Sequence, residues 1–321
     1  MMRRRDRLYI YIIGVILLSA CSKSEADRPD NTISFAPVAA KPTKAIISGT
    51  TYPTSESFVV SAFHNGTAAY FEDLTATYSN TNSLWATTEA QYWPLGGSLD
   101  FIAYSPASAG LTIDATDGVT ATDYTVQNTA QMTTDLCYAS ATVADCSNHP
   151  AAVPLTFSHA LSQIVFRVKA AAYYTTNTTT VALSMTSLSL SGIYSVGDFA
   201  AGEWSNQDSA YTYTLSNSAT SLTYDGNNDP NVIDVCAYLY LPQTISADAR
   251  LNVGYTITQT VSGTPYTVEN PPVSIPLRNT VTEWQPGKKY IYTINIGLDN
   301  LITFTASTVA WEEKSGGVVV E

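Results

Sequence analysis

Apolar and polar residues alternate one for one along most of this chain, and helical spacing is rare. From Gln163 to Lys169 the order Gln-Ile-Val-Phe-Arg-Val-Lys sets Ile164, Phe166 and Val168 on one face of a strand, because successive strand side chains point to opposite sides. Runs at 180–191, 211–215, 232–241, 250–261 and 288–298 repeat the pattern. They are rich in Thr, Tyr, Val and Ile, which pack well on a pleated surface. Between runs stand turn signals: Asn65-Gly66, Leu95-Gly96-Gly97, Asp117-Gly118, Asp225-Gly226-Asn227 and Pro271-Pro272. Many strands punctuated in this way predict an all-β fold of sandwich or barrel type. A breaker cluster, Ser147-Asn148-His149-Pro150, precedes a fresh strand signal at Val153. It predicts one antiparallel β-sandwich over 38–150 and a second over 151–321, each of ordinary domain size.

One stretch departs from the alternation. Residues 8–18 form a continuous apolar run behind Arg3, Arg4, Arg5 and Arg7. The run falls short of the ~20 residues that span a bilayer and has the length of a signal-peptide core. It ends in Leu18-Ser19-Ala20-Cys21, which resembles the lipobox of bacterial lipoproteins. Residues 1–21 are therefore expected to be a lipoprotein signal with Cys21 lipidated. The alternative is an ordinary secretory signal with a chance cysteine. Several acyl chains anchor stably where one binds reversibly, so the expected location is the outer membrane and cell surface. Residues 22–37 are polar and carry both charge signs, as a flexible tether does.

Charge narrows the partners. The net charge of the whole chain is −12, and the first twenty residues carry +3 of it, so the remainder holds −15. Such a chain repels nucleic acid and anionic membranes. Charged residues make up 13% and hydrophobic ones 45%, which excludes disorder as the reason for the polarity.

Candidate chemistry is sparse. The three histidines, His64, His149 and His159, lie outside any metalloprotease or His-x-His pattern. His159 is expected to be a strand-start residue with satisfied nitrogens. No nucleophile elbow, phosphate-binding loop or dinucleotide fingerprint appears, and nothing in the sequence calls for a cofactor. Asp225, Asn227 and Asp229 alternate as calcium-loop ligands do, but Pro230 stands where such a loop requires Gly. The segment is read either as a weak calcium candidate or as a plain strand connection. Cys137 and Cys146 either bridge or stay free, since geometry rather than spacing decides. Cys236 reads as a buried small hydrophobe. The 21 Tyr and 5 Trp leave open a surface lipoprotein that binds glycan or a host or bacterial surface protein.

Five motifs in order carry a family resemblance. Leu99-Asp-Phe-Ile-Ala-Tyr-Ser-Pro106 after Tyr92-Trp93-Pro94, Asp135-Leu-Cys-Tyr-Ala-Ser140, Leu155-Thr-Phe-Ser-His-Ala-Leu-Ser162, Leu241-Pro242-Gln243, and the stretch from Trp284-Gln-Pro-Gly to Trp311 together resemble the fimbrillin-like pilins of Bacteroidetes, the lipoproteins of type V pili. The resemblance implies two tandem transthyretin-like sandwiches without catalytic function. It implies lipoprotein export, removal of an N-terminal strand by a trypsin-like protease, and insertion of a neighbour's strand into the vacated groove. Subunits would then join head to tail into a filament. On that scheme Thr32–Val38 is the first strand. Arg28 and Lys41 precede proline and are poor tryptic sites, which leaves the Lys44–Ala45 bond for processing. The alternative is an unprocessed subunit that keeps the strand. Val318, Val319 and Val320 form a short candidate donor strand. A subunit unable to donate would be a tip or accessory protein.

Overall fold

The computed structural model describes residues 31–39, 52–81, 83–298 and 302–310. The expected all-β class holds. In chain order the strands are β1 (Phe35–Ala39), β2 (Phe58–His64), β3 (Ala68–Ser79), β4 (Leu84–Thr87), β5 (Leu99–Ser105), β6 (Thr112–Asp114), β7 (Gly118–Thr125), β8 (Cys137–Val143), β9 (Val153–His159) and β10 (Ser162–Ala170). There follow β11 (Thr179–Ala200), β12 (Glu203–Ser216), β13 (Thr220–Ser221), β14 (Ile233–Tyr240), β15 (Gln243–Thr244), β16 (Arg250–Val261), β17 (Thr264–Pro276), β18 (Glu283–Trp284), β19 (Lys288–Ile296) and β20 (Ile302–Ala310). The α-helix among the described residues is one turn, Thr129–Met132, closed by a capping box between Asn128 and Gln131.

Alternation sets the layers. The first sheet closes into a barrel in the order β1-β4-β3-β2-β5-β8-β9. Its interior is aromatic: Phe35, Tyr52, Phe58, Phe71, Trp85, Trp93, Phe101 and Phe157 are all buried. A second core lies between the sheet β14-β10-β19-β20 and the sheet β17-β16-β11-β7-β6. Ile164, Phe166 and Val168 face it as the alternation predicts, and they are joined there by Tyr292, Ile294, Leu190 and Tyr255. Val59, Phe63, Ile102 and Tyr104 belong to this second cluster although their strands, β2 and β5, are barrel staves. Each of these staves thus buries both faces, and the two cores share a wall.

Three local features of the structure bear on the sequence reading. The cut at 150/151 falls just before β9, which still belongs to the barrel, and the chain enters the second core at Ala160–Ser162. Residues 32–37 are not tether. Ile33, Phe35 and Pro37 are buried as their side chains alternate into the barrel, and Ser34 is buried with its hydroxyl bonded to the Ala151 carbonyl. Pro271-Pro272 is not a turn but lies inside β17, an edge strand. There the two prolines fall in a register shift opposite Gly254, where their missing N–H groups cost no ladder bond.

Burial of phenols gives the fold an alkaline limit. Burial raises the Tyr124 hydroxyl from 10.0 to about 12 and drives Tyr52, Tyr213, Tyr240 and Tyr292 upward for the same reason. A raised folded-state value means that the stability is fully present below the ordinary tyrosine pKa and is lost as pH rises through the folded one. Unfolding is therefore expected to set in above about pH 10. Tyrosinate absorbance should rise in one cooperative step together with loss of the near-ultraviolet circular dichroism. A gradual titration with that dichroism intact would contradict it.

Candidate functional site

Among the described residues, the strand that closes the barrel is also the one nearest the chain's beginning. β1 pairs in parallel with β9 through five residues, Phe35↔Val153 to Ala39↔Phe157, and touches β4 at Phe35↔Trp85. Three bonds pin its start: the Ile33 amide donates to the Gln91 carbonyl at 2.7 Å, the Ser34 hydroxyl to the Ala151 carbonyl at 2.9 Å, and the Val153 amide to the Ser34 carbonyl at 2.8 Å. Phe35 plugs the barrel edge-on between Phe58 and Phe101, with ring centroids 5.7 and 5.8 Å away. Val38 on the outer face is 39% exposed. The strand is amphipathic, with a plug inside and solvent outside, and the sequence between Ala39 and Tyr52 is its route to the rest of the barrel. Without β1, the backbone of β9 and an apolar slot under Phe58, Trp85 and Phe101 would lie open. That is the geometry an incoming strand recognises, through backbone bonds for affinity and pockets for alternate side chains. Cys21, Lys44, Ala45, Val318, Val319 and Val320 lie outside the described residues.

A second cluster sits where β8 and β9 meet. His159 ends β9 rather than starting a strand. Its Nδ1 lies 2.9 Å from Asp135 Oδ1 and 3.4 Å from Cys137 Sγ. All three residues are buried. Burial, and then the charge of Asp135, pushes the Cys137 thiol well above its ordinary range, so it is protonated and unreactive. A nucleophile–base–orienter relay needs a separate ring nitrogen for each partner. Here both partners meet the same one, and relay is ruled out. The sequence reading missed Asp135, since its partner stands 24 residues away.

The other candidates resolve into structure. Cys137 and Cys146 are both free and buried, and β8 separates them. Seven strand residues span roughly 20 Å at about 3.3 Å per residue, far beyond the ~7 Å at which a bridge becomes possible. Of the two readings left open by the sequence, the free one is what the structure shows. At the calcium candidate, Asp225 Oδ1 accepts from the amides of Asn227 and Asp229 at 2.8 and 2.9 Å. The carboxylate thus caps its own loop as an Asx turn does. Trp85, Trp93 and Trp284 are buried, which removes them as sugar-stacking platforms.

Among the described residues, the body is all-β and is stoppered by its first strand. The model of the family described as "Fimbrillin-like" matches residues 43–311, and the chain belongs to that family. Solved structures agree in fold. A putative cell adhesion protein from Bacteroides uniformis aligns at TM-score 0.50 and 18% identity over 88% of this chain and 98% of that one. One from Bacteroides ovatus aligns at TM-score 0.50 and 13% identity, covering 88% and 99%. A search of the curated proteins finds no match. Membership of that family makes the chain a fimbrial-type surface subunit rather than an enzyme.

Proposed function

We propose that the chain is exported as a lipoprotein through Cys21 and built into a fimbrium by strand exchange, with β1 as the removable strand. The observation that carries this reading is the slot. A single amphipathic strand, plugged by Phe35 and laddered to β9, fills a gap in an otherwise continuous barrel wall. A cut at Lys44–Ala45 turns β1 into a peptide held without a covalent link. Another subunit's strand, with Val318–Val320 as the candidate, can then replace it. Such contacts are heterologous and extend head to tail. Partners are thus other fimbrial subunits, with the outer membrane holding the lipidated precursor. The two hydrophobic clusters support two tandem β units, the first running through β9.

The test is trypsin treatment of the folded chain lacking residues 1–21, read by mass spectrometry and gel filtration. Cleavage after Lys44 with release of a peptide that ends at Lys44, and growth of detergent-resistant ladders, is expected for a stalk subunit. Cleavage without ladders assigns it to a tip or accessory position. An uncut, stable monomer overturns the processing scheme and favours a non-polymerising surface binder.

A further inference from the structure

Three metal-ligating side chains converge in the barrel wall, and one of their oxygens has no hydrogen-bond partner. Asp135 Oδ1 and Cys137 Sγ stand 2.9 and 3.4 Å from His159 Nδ1, and the three ligand atoms all lie within 4.8 Å of one another. Exposure is 2% for Asp135, 0% for Cys137 and 6% for His159. One ring nitrogen serves two groups, and Asp135 Oδ2 is buried without any hydrogen-bond partner. Buried polar atoms are normally satisfied, so an orphaned carboxylate oxygen asks for an explanation.

Charge and distance both point to a cation. A buried carboxylate is costly unless its charge is balanced. A thiolate, a carboxylate, a neutral imidazole and one divalent ion sum to zero. Cys, His and Asp are the donors of zinc sites. Bonds of about 2.0–2.3 Å at tetrahedral angles place ligand atoms roughly 3.3–3.6 Å apart. The thiol–imidazole separation of 3.4 Å already has that value, the carboxylate–imidazole separation of 2.9 Å is about 0.4 Å short of it, and the carboxylate–thiol separation lies within 4.8 Å.

We propose that Asp135, Cys137 and His159 bind one divalent cation of the zinc type, with the unpartnered Asp135 Oδ2 able to take a further position. The ion displaces the thiol proton on binding. It would join β8 to β9 where their ladder is two residue pairs long, Cys137↔His159 and Tyr138↔Ser158. Because β9 is also the partner of β1, the ion stiffens the wall against which the first strand rests.

Because the cluster is enclosed, the chain should be unfolded and refolded with Zn²⁺ or Co²⁺, then passed through gel filtration to remove loose metal. The expected result is one retained ion per chain and a thiolate-to-cobalt charge-transfer band that zinc abolishes. The midpoint of urea unfolding should also rise in the zinc-loaded sample. Cys137→Ser should abolish the band and weaken retention at least tenfold, while Cys236→Ser leaves both unchanged. A refolded chain that regains its native dichroism yet retains no metal overturns the site. So does a cobalt complex without the band. The wild-type spectrum decides the question even if a variant fails to fold.

Discussion

Phe35→Ala is expected to lower the free energy of unfolding by about 3–5 kcal/mol, the range for truncating a fully buried phenylalanine. The ring is 1% exposed and packed edge-on against Phe58 and Phe101. The barrel has little means of closing over the cavity, because these neighbours sit on strands laddered on both sides. Val38→Ala, three residues along on the solvent face, should change stability by less than about 0.5 kcal/mol. Urea unfolding of the full chain measures both. A Phe35 loss below about 1 kcal/mol would mean that the strand is not the plug of the barrel, and the strand-exchange reading would lose its physical basis. A large loss has a functional corollary: the same substitution should speed the departure of β1 once the chain is cut, since the ladder to β9, the bonds of Ile33 and Ser34 and the burial of Ile33 would then hold it without the aromatic plug.

Local pattern carried much of this fold, and long-range pairing carried what the pattern missed. The strand read at 250–261 coincides with β16, and the turn at Asn65-Gly66 joins β2 to β3 with both residues at positive φ. Such features depend on neighbours within a few residues. The closure of a barrel by a parallel β1–β9 pair spans more than a hundred residues and leaves no mark on local alternation. The same holds for the Asp135–His159 pair. Sequence marks each residue as polar but does not reveal that both are buried against each other. Pro271-Pro272 misled for a different reason. Two prolines ordinarily end a strand, but an edge strand with a register shift accommodates them. The family motifs were legible because their residues meet packing demands: Trp93, Phe101, Leu155 and Trp284 are buried.

Gly192 shows how a residue that reads as a stop can be the reason a strand continues. The alternating run read from the sequence ends at Ser191, yet β11 passes through Gly192 to Ala200. At this point the strand changes partners. Its ladder with β16 finishes at Ser191↔Arg250, and that with β7 begins at Val196↔Thr125. In the gap, the Gln243 side chain replaces a strand. It accepts from the Tyr194 amide at 2.9 Å and donates to the Tyr194 carbonyl at 3.1 Å. The chain around Asp248 closes in beside it. A Cβ on Gly192 would stand 2.8 Å from the Asp248 carbonyl oxygen, and the glycine holds φ at +73°. Gly192→Ala is therefore expected to cost about 2–5 kcal/mol, of which roughly 1–2 is the left-handed backbone and roughly 1–3 the overpacking. Gly263 separates the two contributions. Its φ is +86° but nothing lies within 4 Å of its added Cβ, so Gly263→Ala should cost about 1–2 kcal/mol. Urea unfolding of the two variants tests the difference. Equal losses would show that the Asp248 chain yields freely, and that the partner change in β11 does not depend on a residue without a side chain.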